Sequence, residues 1–391
     1  MIFLYNHTLM HYRVPIFNRL SDACGCRLVV VFGQQAPGAG HLADTLRLAR
    51  FDYLQVKNHW FLGGRALWQP FLEPFTLYGK PRAVIVQHTP RILTLAPFMA
   101  YCSAKGVRHI LWGHGGSRKR DIRSHTAKDF IQRMFVKRCD AYICYTENIR
   151  ERLAEITVPE KLFVASNTLD TELLGILRKE LEAEGRQGVK RRLGLDRDHY
   201  LCFVGRLIAS KQPHKVLDVL GLLQRQLDAT VGAVFIGDGP EKAGLMHRAS
   251  AYGLDGVHFT GAISDWARSA SYLFASDVLL NPGEVGLSVN HALSLGLAVI
   301  TENPDSQGPF HGPEAVFIRQ GETGYFVPKD SLVDMASRVS HILRNRSHWY
   351  GQTVAYATKE LCVDKMIEGM LDAIAYVTGG DLPIRPVPQS Y

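Results

Sequence analysis

Residues 277–301 read DVLLNPGEVGLSVNHALSLGLAVIT, and this stretch decides the fold. The apolar run 277–280 predicts a short strand, and Pro282, Gly283 and Gly286 predict a turn. Over 287–295 the apolar Leu287, Leu293 and Leu295 fall at helical spacing, with Ser288, Asn290 and His291 as polar positions. Gly296 closes that helix, and 298–300 predicts the next buried strand. Strand, glycine turn, helix, glycine and strand in that order form a unit of a parallel α/β sheet. The first N–H groups of such a helix lack intrahelical partners, so a Gly-rich turn before it suits an anionic phosphate. The polar Asn290 and His291 one turn later are available to a neighbouring hydroxyl. The same turn is equally compatible with plain βα architecture.

The pattern repeats outward in both directions. Before this stretch, apolar runs at 2–5, 27–32, 83–87, 108–112, 141–145 and 162–165 predict strands, with helical spacing at 14–23, 93–105 and 126–138. A second series at 200–204, 229–236, 257–260, 277–280 and 297–301 alternates with helices near 213–226, 240–253, 265–275 and 331–345. Strands alternating with helices predict parallel sheets covered on both faces. The chain thus reads as α/β, with two tandem Rossmann-like doubly wound domains whose strand carboxyl ends can face a cleft.

Size and composition agree. A chain of 391 residues supports two cores, and 46% hydrophobic with 21% charged residues is ordinary for a globular protein. No run approaches the roughly 20 apolar residues of a membrane span. The opening MIFLYNHTLMHYRVPIF reads as a strand followed by polar residues rather than a secretory signal. Seven scattered cysteines, with no CxxC pair, fit a reducing compartment better than a disulfide scaffold or a zinc site. The net charge of +8 is clustered in 118–138, which carries Arg118, Lys119, Arg120, Arg123, Lys128, Arg133, Lys137 and Arg138. A second basic run, 186–192, reads as a solvated helix face. Such a balance points to nucleic acid, an anionic membrane or an anionic substrate. No nucleic-acid-binding motif accompanies it, so no nucleic-acid partner is expected.

Several strand ends carry chemistry. FVGRLIASK at 203–211 places Gly205 in a turn, then Arg206 and Lys211, a planar donor fork and a point charge able to hold a diphosphate. Gly237 in GDGP and Gly261 in VHFTG end two further strands. In the first half, WGHGG at 112–116 sets His114 between Gly113 and Gly115, where a ligand can approach closely. Asn6 and His7 end the first strand, and Tyr12 and Arg13 open the next helix; these residues could line the acceptor side, with Arg13 equally a packing residue. Glu314, in HGPE, could accept hydrogen bonds from vicinal hydroxyls or be an ordinary first-turn carboxylate. Asp196-Arg197-Asp198, the sole Asp-x-Asp, precedes a strand and reads as a charged turn, so no metal is expected.

In this order, the pieces resemble the GT-B glycosyltransferases, and within them the large retaining family 4 (group 1), whose bacterial members build lipopolysaccharide, capsule and exopolysaccharide. FVGRLIASK, VFIGDGPEK, VHFTG, PGEVGLSVNHALSLGLAVIT and GETGYFV carry the likeness in the second half. YRVPIF, LWGHGG, AYICYTENIRERL and VASNTLD carry it in the first. The resemblance implies an acceptor domain at 1–166, a nucleotide-sugar donor domain at 167–359, a helix at 360–378 packing back on the first domain, and a mobile tail at 379–391. It implies that Arg206 and Lys211 hold the donor diphosphate and stabilise the leaving group, that backbone N–H groups of Val285, Gly286, Leu287 and Ser288 add donors, and that His114 lies near the reacting sugar. The substrate would be a UDP- or GDP-sugar, with no separate cofactor. The acceptor would be a glycan or lipid-linked glycan, in a cytoplasmic protein peripheral at the inner face of the cytoplasmic membrane. Aromatic Trp60, Phe61, Trp68, Phe71 and Phe75 suit that interface, or else the core.

One departure stands out. The family has two glutamates with seven residues between them across this loop and helix, and aligning Gly286, Leu287 and Ala292 puts Gly283 and His291 at those positions. Glu284, one place later, is a substitute for the first. His291 or Glu314 would replace the ribose contact of the second. A same-fold epimerase or phosphorylase, and a basic nucleic-acid-binding protein, are the alternative readings.

Overall fold

The computed structural model describes residues 1–34, 45–116 and 126–380. Arg118, Lys119, Arg120 and Arg123, the Lys128 side chain, and 381–391 of the expected mobile tail lie outside that set. The chain folds as two units, one formed by Met1–Asn167 with the segment from Val363, the other by Thr168–Cys362.

In the first unit the strands are β1 (Ile2–Thr8), β2 (Leu28–Gly33), β3 (Asp52–Val56), a hairpin of β4 (His59–Phe61) and β5 (Ala66–Trp68), then β6 (Ala83–His88), β7 (Arg108–Gly113), β8 (Ala141–Cys144) and β9 (Leu162–Val164). Seven of them form one parallel sheet in the order β3-β2-β1-β6-β7-β8-β9. Ile2, Phe3, Leu4 and the run Leu28 to Phe32 are buried without alternation, because helices cover both faces. The helix Val363–Thr378 packs against β7, β8 and β9 and against the helix Arg13–Ala23. Gly369 permits that approach, since a Cβ there would lie 1.9 Å from the Val164 carbonyl oxygen. Asp364 pairs with Arg19 at 2.9 Å beside it.

The second unit contains β10 (His199–Val204), β11 (Val231–Ile236), β12 (Val257–Gly261), β13 (Val278–Leu280), β14 (Ala298–Glu302) and β15 (Gly324–Val327). These form a parallel sheet ordered β12-β11-β10-β13-β14-β15. In both sheets the strand order reverses beside the first strand of the unit, β1 or β10. A crevice opens outside the carboxyl ends at such a switch point. Asn6 and His7 therefore sit at one switch point, and Gly205, Arg206 and the Pro282–Gly286 turn at the other.

The structure differs from the sequence reading in several elements. The short strands β3, β4, β5 and β15 and the helix Arg346–Glu360 were not expected. The basic run 186–192 is a solvated face only in part, at the exposed Arg191 and Arg192. On the helix Arg186–Leu193, Lys190 is buried and donates to the carbonyls of Arg197 and Asp198 at 3.0 and 2.6 Å. Arg186 pairs with Asp277 at 2.5 Å, and Arg346 meets the same buried carboxylate at 2.9 Å. Asp277 is thus a counterion joining the helices to the sheet. Burial opposes its charge, but His199, Arg186 and Arg346 outweigh that and lower it to about 2.

Candidate active site

In the second unit, the turn after β10 and the turn after β13 lie backbone to backbone. The N–H groups of Gly283 and Glu284 donate to the carbonyls of Lys211 and Ser210 at 3.2 and 3.1 Å. A Cβ on Gly283 would lie 2.3 Å from the Ser210 carbonyl oxygen and 2.6 Å from the Lys211 carbonyl carbon. The glycine at the family's glutamate position is therefore required by the packing of two loops in this chain. Lys211 Nζ donates to the Glu284 carbonyl at 2.7 Å. Burial lowers the Lys211 pKa; Glu284 and Glu314 act to raise it and Arg206 to lower it further. Arg206, Lys211, Glu284 and Glu314 are thus brought into one electrostatic neighbourhood, with Arg206 exposed.

Glycine turns stack behind this point. Gly205 (φ 144°) donates its N–H to the Ile236 carbonyl at 3.0 Å, and Gly237 (φ 148°) to the Gly261 carbonyl at 2.9 Å. A Cβ on Gly237 would meet the Gly205 carbonyl oxygen at 1.9 Å. Gly205, Gly237 and Gly261 thus let three strand ends nest together. Asn281 ties this layer to the helix Ser288–Ser294. Its side chain accepts from the Val204 N–H at 3.3 Å and donates to the Val204 carbonyl and the Ser288 hydroxyl, each at 3.1 Å.

The following loop is held by His311. Its Nδ1 lies 3.3 Å from the Val285 N–H, and its Nε2 lies 2.9 Å from the Glu302 carbonyl. Those partners assign an accepting Nδ1 and a protonated Nε2. Burial lowers its pKa, consistent with the neutral ring. Glu302 is itself anchored by Lys215, whose Nζ also meets Asp330, both at 2.5 Å. Glu314, buried on the short 3-10 segment Pro313–Phe317, places Oε2 where a Cβ on Gly312 would lie 2.3 Å away and one on Gly286 3.8 Å away. The Gly312 N–H donates to the Val285 carbonyl at 2.8 Å. Glu314 is therefore a carboxylate laid over the glycine turn. His291 stands edge-on to the Trp266 ring at 4.8 Å. Leu287 precedes the helix as its N-cap residue, with helical backbone angles.

In the first unit, the loop after β7 carries His114. Gly115, at φ 73°, donates its N–H to the Tyr142 hydroxyl at 2.7 Å, and a Cβ there would lie 2.6 Å from Leu153 Cδ2. The Tyr142 hydroxyl meets His88 Nδ1 at 2.8 Å, and burial lowers His88 to about 4. Arg152 donates to the His114 carbonyl at 3.0 Å, and the His114 ring lies 4.8 Å from that of Tyr145. The loop is fixed from three sides, which orients one imidazole at a strand end.

At the end of β1, Gln69 Nε2 donates to the Asn6 carbonyl at 2.9 Å and Asn58 Nδ2 to the His7 carbonyl at 2.7 Å. His7 Nδ1 meets Gln87 Oε1 at 2.5 Å. Tyr12 is half-buried at the start of its helix. Arg13 is buried, with Nη2 donating to Asn167 at 2.6 Å and its guanidinium 4.7 Å over the Trp112 ring, so its contacts here are packing contacts. Asp198 accepts from the Thr230 N–H and hydroxyl at 2.9 and 2.8 Å, as a turn before β10 would. Among the described residues no group of three or more His, Cys, Asp or Glu side chains could hold a metal.

Asn281, His311, Glu302 and Lys215 on one unit, and Asn58, Gln69, His88 and Tyr142 on the other, were not singled out from sequence. The available signals were modest: Asn281 before Pro282 at a strand end, and His311 before Gly312-Pro313.

Two parallel-sheet Rossmann-like units, the second with glycine turns stacked at its strand ends, are the units of the GT-B fold. Residues 186–359 match the family model for glycosyl transferases group 1, and residues 22–173 that for glycosyltransferase family 4. The chain is a group 1 glycosyltransferase resembling family 4. Among solved structures, Alr3699/HepE of Anabaena in complex with UDP is similar at 15% identity and TM-score 0.70, covering 96% of this chain and 99% of that one. Sucrose-phosphate synthase from Thermosynechococcus elongatus is similar at 14% identity and TM-score 0.68, covering 97% and 99%. The lipopolysaccharide outer core galactosyltransferase WaaB, in its apo form, is similar at 14% identity and TM-score 0.62, covering 95% and 98%. At these identities the likeness is one of fold. No curated protein sequence matches the chain at a significant level.

Proposed function

We propose that this glycosyltransferase moves a sugar from a UDP- or GDP-sugar to a glycan or lipid-linked glycan, with retention at the anomeric carbon, in the building of cell-surface polysaccharide or lipopolysaccharide. The observation that carries the reading is Lys211, half-buried beside Arg206 and the Gly283–Gly286 turn at the β10/β13 switch point. A nucleoside diphosphate is the anion that such a pair of cations and a glycine turn would take. Departure of the sugar leaves added negative charge on the diphosphate, and Arg206 and Lys211 stabilise it without reorganising. The bond from the anomeric carbon to the diphosphate breaks, the acceptor hydroxyl oxygen bonds to that carbon on the same face, and a departing phosphate oxygen takes the acceptor proton, which gives retention. These two cations carry the role a divalent ion has elsewhere, so the rate should survive chelation of divalent metal. His114 is assigned to the transferred sugar, and Asn6 and His7 to the acceptor. UDP-bound and UDP-glucose-bound structures of the Anabaena relative support the choice of donor class.

The acceptor is placed at an anionic membrane surface, on the cytoplasmic side where nucleotide sugars are made. No helix among the described residues is long and apolar enough to cross a membrane, so the attachment proposed is peripheral.

A thermal-shift panel of UDP, GDP, ADP, CMP and their sugars tests the reading. A ligand at about 100 times its Kd stabilises by roughly 2.7 kcal/mol. A shift with one nucleoside diphosphate and its sugar is the expected result, and no shift with any of them overturns it.

A further inference from the structure

The hairpin of β4 and β5 is built unlike the rest of its unit. Its tip, Leu62-Gly63-Gly64, holds three consecutive left-handed residues, at φ 52, 61 and 84°. Leu62 is not a glycine, so its backbone carries strain that a different loop sequence would avoid. Nor does burial reward it, since Leu62 is 78% exposed. Phe61, Trp68, Leu72 and Leu93 nearby are 49, 43, 49 and 53% exposed. The base of the hairpin is firm, because Leu67 is buried and exchanges backbone hydrogen bonds with Arg91 and Leu93, each at 2.8 Å. An apolar tip on a firm base, rather than scattered exposed side chains, is the feature to explain.

The charge around it is one-sided. From residue 53 to residue 120 the only acidic residue is Glu73. Lys57 just before β4, Arg65 between β4 and β5, and Arg91, whose carbonyl accepts from the Leu67 N–H, are all exposed beside the hairpin. Large apolar side chains at a tip, flanked by exposed cations, match an anionic bilayer: the apolar groups enter the headgroup–acyl boundary and the cations meet the lipid phosphates.

The hairpin is also coupled to the residues assigned to the acceptor. Asn58, just before β4, holds the His7 carbonyl, and Gln69, just after β5, holds the Asn6 carbonyl, at 2.7 and 2.9 Å. The Trp60 and His7 rings lie 6.5 Å apart. Both ends of the hairpin are thus clamped to the end of β1.

We propose that the Phe61-Leu62 tip inserts into an anionic lipid bilayer, and that the Asn58 and Gln69 clamps set the acceptor residues Asn6 and His7 beside that surface to receive a lipid-linked glycan. The insertion stands on the hairpin alone, while the delivery of acceptor rests on the function proposed above.

The test uses the full chain, vesicles of phosphatidylglycerol and phosphatidylethanolamine, vesicles of phosphatidylcholine alone, and the double variant Phe61→Asp/Leu62→Asp. Wild type should sediment with the anionic vesicles in a salt-sensitive way and bind phosphatidylcholine weakly. Bromine-labelled acyl chains should quench the fluorescence of Trp68, identified by its loss in Trp68→Phe. The double variant should lose vesicle affinity by about 100-fold, since two apolar side chains no longer enter the lipid. It should keep the wild-type unfolding temperature and nucleotide-induced shift, which shows that it is folded. Vesicle binding unchanged in the double variant overturns the proposal. So does a concentration-dependent dimer of the wild type that the variant abolishes with no vesicle binding, because the tip then meets a second copy of the chain. Absence of any nucleotide-induced shift in the wild type refutes the donor reading and leaves the vesicle result to decide the insertion by itself.

Discussion

Lys211 Nζ donates to the Glu284 carbonyl at 2.7 Å, so the cation at the end of the β10 turn is bonded into the turn that follows β13. One side chain thereby joins the two loops of the switch point, with its charge in electrostatic reach of Glu284 and Glu314. Lys211→Ala should lower kcat/KM by about 10²-fold or more, the scale for losing one charged stabiliser of a developing anion. Steady-state transfer assays check this, and a loss under threefold would remove Lys211 from the chemistry.

Gly283→Ala tests why the family's glutamate is absent. The added Cβ would stand 2.3 Å from the Ser210 carbonyl oxygen, against backbone that cannot rotate away. We expect a loss of about 1–3 kcal/mol, the usual cost of overpacking, together with a raised donor KM. Gly283→Glu should be worse, not a restoration. Thermal unfolding and donor titration read both effects, and a Gly283→Glu protein with improved donor affinity would contradict the packing argument.

Glu314→Gln and His291→Ala separate the two candidates for the ribose contact. Glu314 overlies Gly286 and Gly312, whereas His291 stands edge-on to Trp266. The expected outcome is that Glu314→Gln raises donor KM about tenfold, near the 1.4 kcal/mol of one charged hydrogen bond, with a smaller effect from His291→Ala. If both variants keep wild-type donor KM and kcat, neither residue binds donor.

Gly115→Ala addresses His114 without touching it. The substitution forces a side chain onto a backbone at φ 73° and against Leu153. The loop should shift, so kcat should fall at least tenfold while donor Kd, set on the other unit, stays within about twofold. Equal losses in both would mean general unfolding instead.

Acid should destabilise the protein through its buried neutral histidines. Burial lowers His88 to about 4, and His7 and His311 are lowered as well. A histidine with a depressed folded-state pKa contributes its full stability above its unfolded value of about 6.5 and loses it as pH falls toward the folded value. For His88 that window is pH 6.5 down to about 4, and the loss is at most on the order of 3 kcal/mol. Unfolding temperatures measured from pH 8 to pH 4 should hold steady above 6.5 and then decline. A flat profile to pH 4.5 would show that these rings are not buried neutral.

Read alone, the amino-acid sequence determined the alternation of strands and helices, the positions of the strand-end turns, and the residue types that can meet a phosphate. Those features are local: unbroken apolar runs in fully buried strands such as Leu28 to Phe32, glycines at turns, and Arg206 and Lys211 a few residues beyond a strand end. The short strands escaped it because β4 and β5 are three residues each, with exposed aromatic residues that break any alternation. Which charges are buried was equally hidden: Asp277 looked like the first residue of a strand and Arg186 like a solvated cation, until folding set them 2.5 Å apart. Only the tertiary structure decided that Gly283 lies on the backbone of Ser210 and Lys211, that His311 joins Val285 to Glu302, and that Asn58 and Gln69 clamp the end of β1. Except for His311 and Glu302, nine positions apart, each of these pairs residues tens of positions apart, through single hydrogen bonds or a close backbone contact. Periodicity and propensity report what a residue does to its neighbours along the chain, and they carry no term for a partner that arrives only when the sheet has closed.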